Sequence, residues 1–406
     1  MSKRIIVALI TMFTCGALFA QDDLDARVKE LQRQIDILTQ EIEALKTPQA
    51  AKPAAADTQQ YGLGAAASKV YRAQPGVSFG GYGEMLYQNR DKTGVDTADL
   101  LRAVLYTGYK FNEKILFNSE LEVEHASTES GGAVSMEFAY LDFLQKPSLN
   151  YRAGVVLLPI GLINEQHEPT TYLGTRRPEV ERVIIPATWG EAGAGIFGDV
   201  RNVSYRAYLV TGLDSAHFDS EEGLREGRQA GGEALAEDWA VVGRADWHPF
   251  EGTLFGASLY SGNSGQTSNF AGRVTLGEVH ADSKLRGLSL RALYARGTIG
   301  DAARINEANG LGGDESIAKS FGGWYAEAGY AVTRWLTPYL RYEQLDTQRS
   351  VPSGFARNPQ NNRRIFTAGA AFRPITQTVI KIDYQNSNNR AHIGANQWNV
   401  AVGYIF

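Results

Sequence analysis

The sequence predicts an all-β fold, a transmembrane antiparallel β-barrel of about sixteen strands, carrying a short N-terminal α-helical coiled coil. Three observations predict it. The chain ends on Trp398-Asn399-Val400-Ala401-Val402-Gly403-Tyr404-Ile405-Phe406. Its large apolar side chains share one face of a strand and Asn399, Ala401 and Gly403 share the other, with Ile405 the one exception. A frayed soluble terminus gains nothing from exposing such a face, whereas a closing barrel strand must show it to lipid. Upstream, short segments of alternating polarity recur, and no window holds enough consecutive apolar residues to cross a bilayer as a helix. Short turns also alternate with long connections, the asymmetry of barrels in bacterial outer membranes.

The elements follow in order from the N-terminus. Lys3 and Arg4 precede an apolar run from Ile5 to Ala20, then Gln21-Asp22-Asp23, so residues 1–20 read as a secretory signal peptide. Met12-Phe13-Thr14 is a poor lead-in for a lipoprotein reading of Cys15. That cysteine is the chain's only one, and its departure with the signal excludes disulfides and thiol chemistry. The net charge of −5 becomes more acidic when Lys3 and Arg4 leave, which argues against nucleic acid as a partner.

Within residues 22–46, Leu24, Val28, Leu31, Ile35, Leu38, Ile42 and Leu45 are spaced alternately by four and three. That is a heptad seam, expected as a periplasmic coiled coil. Residues 47–75, rich in Ala, Gln and Pro without a sustained period, read as a flexible tether. Residues 76–406 form the barrel.

Val77–Arg90 alternates, with Val77, Phe79, Met85 and Tyr87 against Ser78, Tyr82, Glu84 and Gln88. Ile115–His125 sets Phe117, Leu121 and Val123 against Asn118, Glu120, Glu122 and Glu124. Leu336–Glu343 sets Leu336, Pro338, Leu340 and Tyr342 against Tyr339, Arg341 and Glu343. Thr378–Gln385 sets Ile380, Ile382 and Tyr384 against Lys381, Asp383 and Gln385. Alternation alone also fits a soluble sandwich; the loop lengths separate the two. A large barrel turns the charged faces inward to water. Fourteen or eighteen strands also fit the segmentation, since boundaries are the weakest part of such a reading.

The connection over about 159–190 is long and carries both Pro and charge: Pro159-Ile160-Gly161-Leu162-Ile163-Asn164-Glu165-Gln166-His167-Glu168-Pro169, then Arg176-Arg177-Pro178-Glu179-Val180-Glu181-Arg182 and on to Trp189. This block resembles the hallmark of the porin O and P family, the phosphate-selective porins. Gly80-Gly81-Tyr82-Gly83-Glu84, Glu120–His125 and Pro338-Tyr339-Leu340-Arg341-Tyr342-Glu343 resemble the same family, and the likeness extends from about Val77 to Phe406. The heptads resemble the periplasmic coiled coils of related trimeric porins. The resemblance implies a sixteen-stranded trimer whose third loop folds inward as a constriction. Glu165, His167, Glu168, Arg176, Arg177, Glu181 and Arg182 then form the constriction, where charged rings set ion preference. The same residues also suit bracing against the wall. Glu84, Glu120, Glu122, Glu124, Arg341, Glu343, Lys381 and Asp383 are the expected pore wall, mixed in sign. Phosphate selection would need a denser basic ladder.

Enzyme chemistry is not expected. His167 beside Glu165 and Glu168 lacks a second histidine at ligand spacing, so no metal and no cofactor are expected. The Gly-rich runs precede no helix and are not phosphate loops. The expectation is an outer-membrane porin, self-associating as a homotrimer in lipid. It passes small charged or polar solutes, with anions such as phosphate or dicarboxylates among them. The rival readings are an outer-membrane anchor whose coiled coil tethers peptidoglycan, and a barrel enzyme acting on lipid.

Overall fold

The computed structural model describes Lys29, Glu30, Gln32, Arg33 and residues 59–91, 95–126 and 132–406. The chain divides into two units, Met1–Asp57 and Thr58–Phe406. In the first, the four described residues are helical and exposed, and Arg33 pairs with Glu30 at 3.1 Å. The signal peptide and every residue of the expected heptad seam lie outside the described residues.

The second unit is a closed barrel of sixteen strands, the expected fold. They are β1 (Gly76–Arg90), β2 (Thr97–Asn112), β3 (Ile115–Glu124), β4 (Ala133–Lys146), β5 (Leu149–Leu157), β6 (Gly190–Val200), β7 (Val203–Thr211) and β8 (Trp239–Phe250). The circuit continues through β9 (Thr253–Gly262), β10 (Val274–Leu285), β11 (Leu288–Ile299), β12 (Ser320–Tyr330), β13 (Leu336–Ser350), β14 (Asn362–Ile375), β15 (Thr378–Asn389) and β16 (Asn396–Ile405). Each strand pairs antiparallel with its sequence neighbours, and β16 pairs with β1 from Tyr82↔Ile405 to Arg90↔Gln397. One rim has tight turns, such as Arg286-Gly287; the other carries the long loops.

The polarity is inverted relative to a soluble domain. Ile380, Ile382, Leu340, Val400 and Val402 point outward and are exposed, while Arg341, Glu343, Lys381 and Asp383 on the alternate positions are buried inside. Outward aromatics gather toward both rims, Trp239 and Trp398 on the long-loop side and Trp247, Tyr330 and Phe372 on the short-turn side. Such girdles suit the interfacial zones of a bilayer. The closing seam depends on glycine: a Cβ on Gly83 would lie 2.4 Å from the Tyr404 ring, which covers β1 there.

Two segments fill much of the lumen. Residues 158–189 fold inward from β5. Their Ile160, Leu162, Val180, Val183, Ile184 and Trp189 join wall residues such as Tyr260, Phe321 and Tyr325 in one apolar cluster. Trp189 and Tyr260 lie 4.7 Å apart between ring centroids. Asn164 staples the loop base, donating to the Leu158 and Trp189 carbonyls and accepting from the Trp189 amide at 2.6 Å. The second segment corrects the sequence expectation. From Gln59 the tether is no tether: Leu63, Ala66, Ala67, Ser68 and Val70 are buried inside the barrel, with a short helix α1 (Lys69–Arg72) leading to β1. Small residues without periodicity fit here because the lumen supplies the packing surface that the segment lacks alone.

Candidate functional site

The site is the lumen, and the strand parity of two determines which side chains enter it. Inward charges are mostly consumed in pairs. Arg102 bridges Glu84 at 3.1 Å and Glu122 at 2.9 Å, and lies 3.9 Å from the partly exposed Glu124. Arg152 pairs with Asp142 at 2.8 Å. Asp246 takes Arg206 at 2.7 Å, Arg244 at 2.8 Å and His280 at 2.9 Å. Desolvation makes an unpaired charge there costly, so pairing is the condition for burial.

The seven candidate constriction residues divide into two groups. Glu165 faces Arg206 at 3.3 Å. His167 Nε2 meets Glu120 Oε1 at 3.0 Å while its Nδ1 lies 2.9 Å from the Asn164 carbonyl. Glu168 accepts the Ala66 and Ala67 amides at 2.9 and 3.1 Å. Glu181 accepts from Tyr325 at 2.5 Å and from the Ile163 amide at 2.6 Å. Arg182 pairs with Glu179 and Glu222, both at 2.7 Å, tying the inward loop to the 212–238 loop. These five brace the fold. Arg176 and Arg177 alone line an open cavity. Arg177 donates to the His167 carbonyl at 3.3 Å, and its Nε has no partner.

The wall grips the loop at Gly174–Arg176. Asp383 accepts the Thr175 amide at 2.7 Å and its hydroxyl at 2.8 Å. Lys381 donates to the Gly174 carbonyl at 2.8 Å and sits 3.7 Å from the Tyr172 ring centroid. Arg341 donates to the Arg176 carbonyl at 3.3 Å and pairs with Glu343 at 2.9 Å. Pro169 packs where Gly403 lacks a Cβ, which would lie 2.5 Å away. Of the eight expected wall residues, Arg341 and Glu343 are buried but border the long-loop cavity, Glu84, Glu120, Glu122, Lys381 and Asp383 are buried without lining it, and Glu124 is partly exposed.

Two cavities along the lumen are lined by more cations than carboxylates. At the long-loop rim a cavity of about 520 Å³ carries Arg90, Arg176, Arg177, Arg341 and Arg363 against Glu179, Glu221, Glu315 and Glu343. At the short-turn rim a cavity of about 310 Å³ carries Lys284, Arg291 and Arg373 against Glu327. Arg341 of the first and Glu327 of the second meet at 3.4 Å. Sequence reading missed Arg102, Lys284, Arg291, Glu327 and Arg373. Their inward parity on alternating strands was the available signal. Among the described residues no three His, Cys, Asp or Glu side chains converge at metal-ligand geometry.

Titration in the loop follows burial and pairing. Burial pushes Glu179 up, but the Arg182 guanidinium outweighs it and holds the carboxyl at about 2. Burial raises Glu168 to about 7 against the pull of the Ala67 amide, His167 and the Ala66 amide. A raised folded value means that its contribution is fully present below the ordinary 4.5 and is lost as pH rises through about 7. Over that window the group is expected to withdraw roughly 3 kcal/mol at most. Glu168→Gln, neutral throughout, flattens the slope. Unfolding midpoints in detergent from acid to neutral pH check this; parallel slopes would remove Glu168 from the account.

Solved structures share this architecture. The loop-deletion mutant of OmpT, an outer membrane protein of Vibrio cholerae, has a TM-score of 0.54 at 10% identity, covering 81% of this chain and 99% of that one. Salmonella typhi OmpF in complex with daunomycin gives 0.54 at 13%, covering 81% and 97%. The outer membrane channel DcaP of Acinetobacter baumannii gives 0.52 at 11%, covering 81% and 97%. The fold is therefore the sixteen-stranded barrel of outer-membrane proteins. No family model matches the chain. An Aquifex aeolicus (strain VF5) protein described as "Uncharacterized protein" is 37% identical over 377 residues, 88% of this chain and 85% of that protein. The chain belongs to the family of that protein.

Proposed function

We propose that the protein is an outer-membrane porin, not an enzyme, through which small polar and charged solutes diffuse with a preference for anions. The observation that carries this is the excess of cations along the open part of an otherwise charge-paired lumen. Three cations line the short-turn cavity with one carboxylate, Arg291 being also paired with Asp282 at 2.5 Å outside the lining, and five guanidinium groups face four carboxylates in the long-loop cavity. An apolar exterior with aromatic girdles supports residence in the outer membrane. Fixed charges beside a narrow aqueous path concentrate counter-ions and exclude co-ions. Phosphate and dicarboxylates, which accept paired hydrogen bonds from guanidinium groups, are the solute class that this lining fits. The resemblance to the porin O and P family, carried by the 159–189 block, agrees with that class. A homotrimer joined at the N-terminal heptads completes the reading; the similar OmpT of Vibrio cholerae is described in a trimer form.

The test is single-channel conductance of the purified full chain in planar bilayers, with the reversal potential read in a KCl gradient. Steady conductance with anion preference is expected. A closed barrel, or cation preference, would overturn the proposal.

A further inference from the structure

The segment ahead of β1 is as firmly built into the lumen as the inward loop. Tyr71 donates to Asp142 at 2.6 Å and accepts from Arg152 at 2.9 Å, so a buried ion pair of the wall is completed by this segment. Asn118 donates to the Ala67 carbonyl at 3.0 Å, and Lys110 to the Ala73 carbonyl at 3.1 Å. On its other side the Glu168 carboxylate takes the Ala66 and Ala67 amides, which joins the segment to the inward loop. The fit leaves no slack. A Cβ on Gly64 would lie 2.4 Å from the Glu168 carboxyl, one on Gly62 2.3 Å from Arg206, and one on wall residue Gly108 2.6 Å from Val70.

The wall contacts of this segment described above lie on β2 to β7, whereas the two cavities with excess cations are lined from β1 and β10 to β16. A third cavity of about 230 Å³ beside Gln59–Gly62 has Arg206, Arg244 and Asp246 in its lining, side chains that are already paired with one another. We infer that residues 60–73 are a fixed lumenal partition that closes the β2–β7 half of the barrel. Permeation is thereby confined to the half lined by β10–β16, and Gly64 and Tyr71 become determinants of conductance and ion preference. The inference rests on the channel reading above. Its physical basis is simple: a wide tube selects poorly, since solutes pass beyond reach of the fixed charges, and a partition forces them past Arg341, Arg291 and Arg373.

The test uses the full chain in planar bilayers of KCl, with residues 61–71 replaced by a Gly/Ser sequence of equal length. Opening the closed half is expected to raise conductance about twofold and to weaken anion preference, because current scales with open cross-section. Unchanged conductance and unchanged reversal potential would overturn the partition while leaving the channel reading intact. A wild type that conducts no ions would overturn the channel reading and the partition with it. Should the replacement fail to fold, thiol access in the conducting protein decides. Ala67→Cys should react with a membrane-impermeant maleimide at least tenfold more slowly than Gln59→Cys, which is exposed at the mouth of the segment. Equal rates would mean that the segment leaves the lumen, and would overturn the inference.

Discussion

Asp383→Ala is expected to lower the stability of the barrel by roughly 3–5 kcal/mol, the range for breaking a buried charged network. One carboxylate, 1% exposed, accepts four hydrogen bonds: from the Thr175 amide and hydroxyl, the Tyr339 hydroxyl at 2.7 Å and Asn399 at 2.8 Å. Truncation leaves these donors unpaired away from water and removes a negative charge near Lys381. The loop at Gly174–Arg176 then loses its main hold on β15, so conductance should rise, fluctuate more and lose ion preference. Asp383→Asn keeps the shape and part of the acceptor capacity and should fall between. Thermal unfolding in detergent, together with single-channel noise, reads both effects. A loss below about 1 kcal/mol would mean that the loop is held elsewhere, as for a neutral or water-compensated bond.

Neutralising Arg176 and Arg177 together is expected to reverse the ion preference, while neutralising Arg182 is not. The first two line the long-loop cavity; without them three guanidinium groups face four carboxylates. A unit charge at about 6 Å in a water-like medium is worth roughly 0.7 kcal/mol, about threefold in relative occupancy. Two such losses predict about a tenfold fall in the anion-to-cation permeability ratio, less at high salt. Arg182 belongs to the same basic run in sequence but is committed to Glu179 and Glu222. Arg182→Gln should shift the reversal potential by less than half as much and loosen the contact between the two loops, visible as gating noise. Equal shifts from both variants would show that the field of the whole loop, not cavity lining, sets preference.

Orientation was legible where strand periodicity was regular. The alternation Ile380-Lys381-Ile382-Asp383 places the charged pair inside, and the structure buries both. Partners were not legible. Thr175 and Asp383 are separated by 208 residues, and Ala66 and Glu168 by 102. No local pattern encodes which inward carboxylate will meet which loop amide. The same gap explains why seven charged residues of one loop formed one expected group and divided into braces and cavity lining. Tether composition misled for residues 59–73 because Gly62, Gly64, Ala65, Ala66 and Ala67 carry no periodic signal. Their value lies in smallness, which matters only against a surface that they do not contain.

By itself, then, the sequence determined a barrel of about sixteen strands and, where the alternation is regular, the inward or outward sense of its side chains. Those properties follow from a period of two and from turn length, both local along the chain. Tertiary structure decided which inward charges are spent on one another and which still face water, and that half of the lumen is closed. Closure brings residues hundreds of positions apart into a dry interior, where an ion pair is retained only if its partner arrives at the right height on another strand.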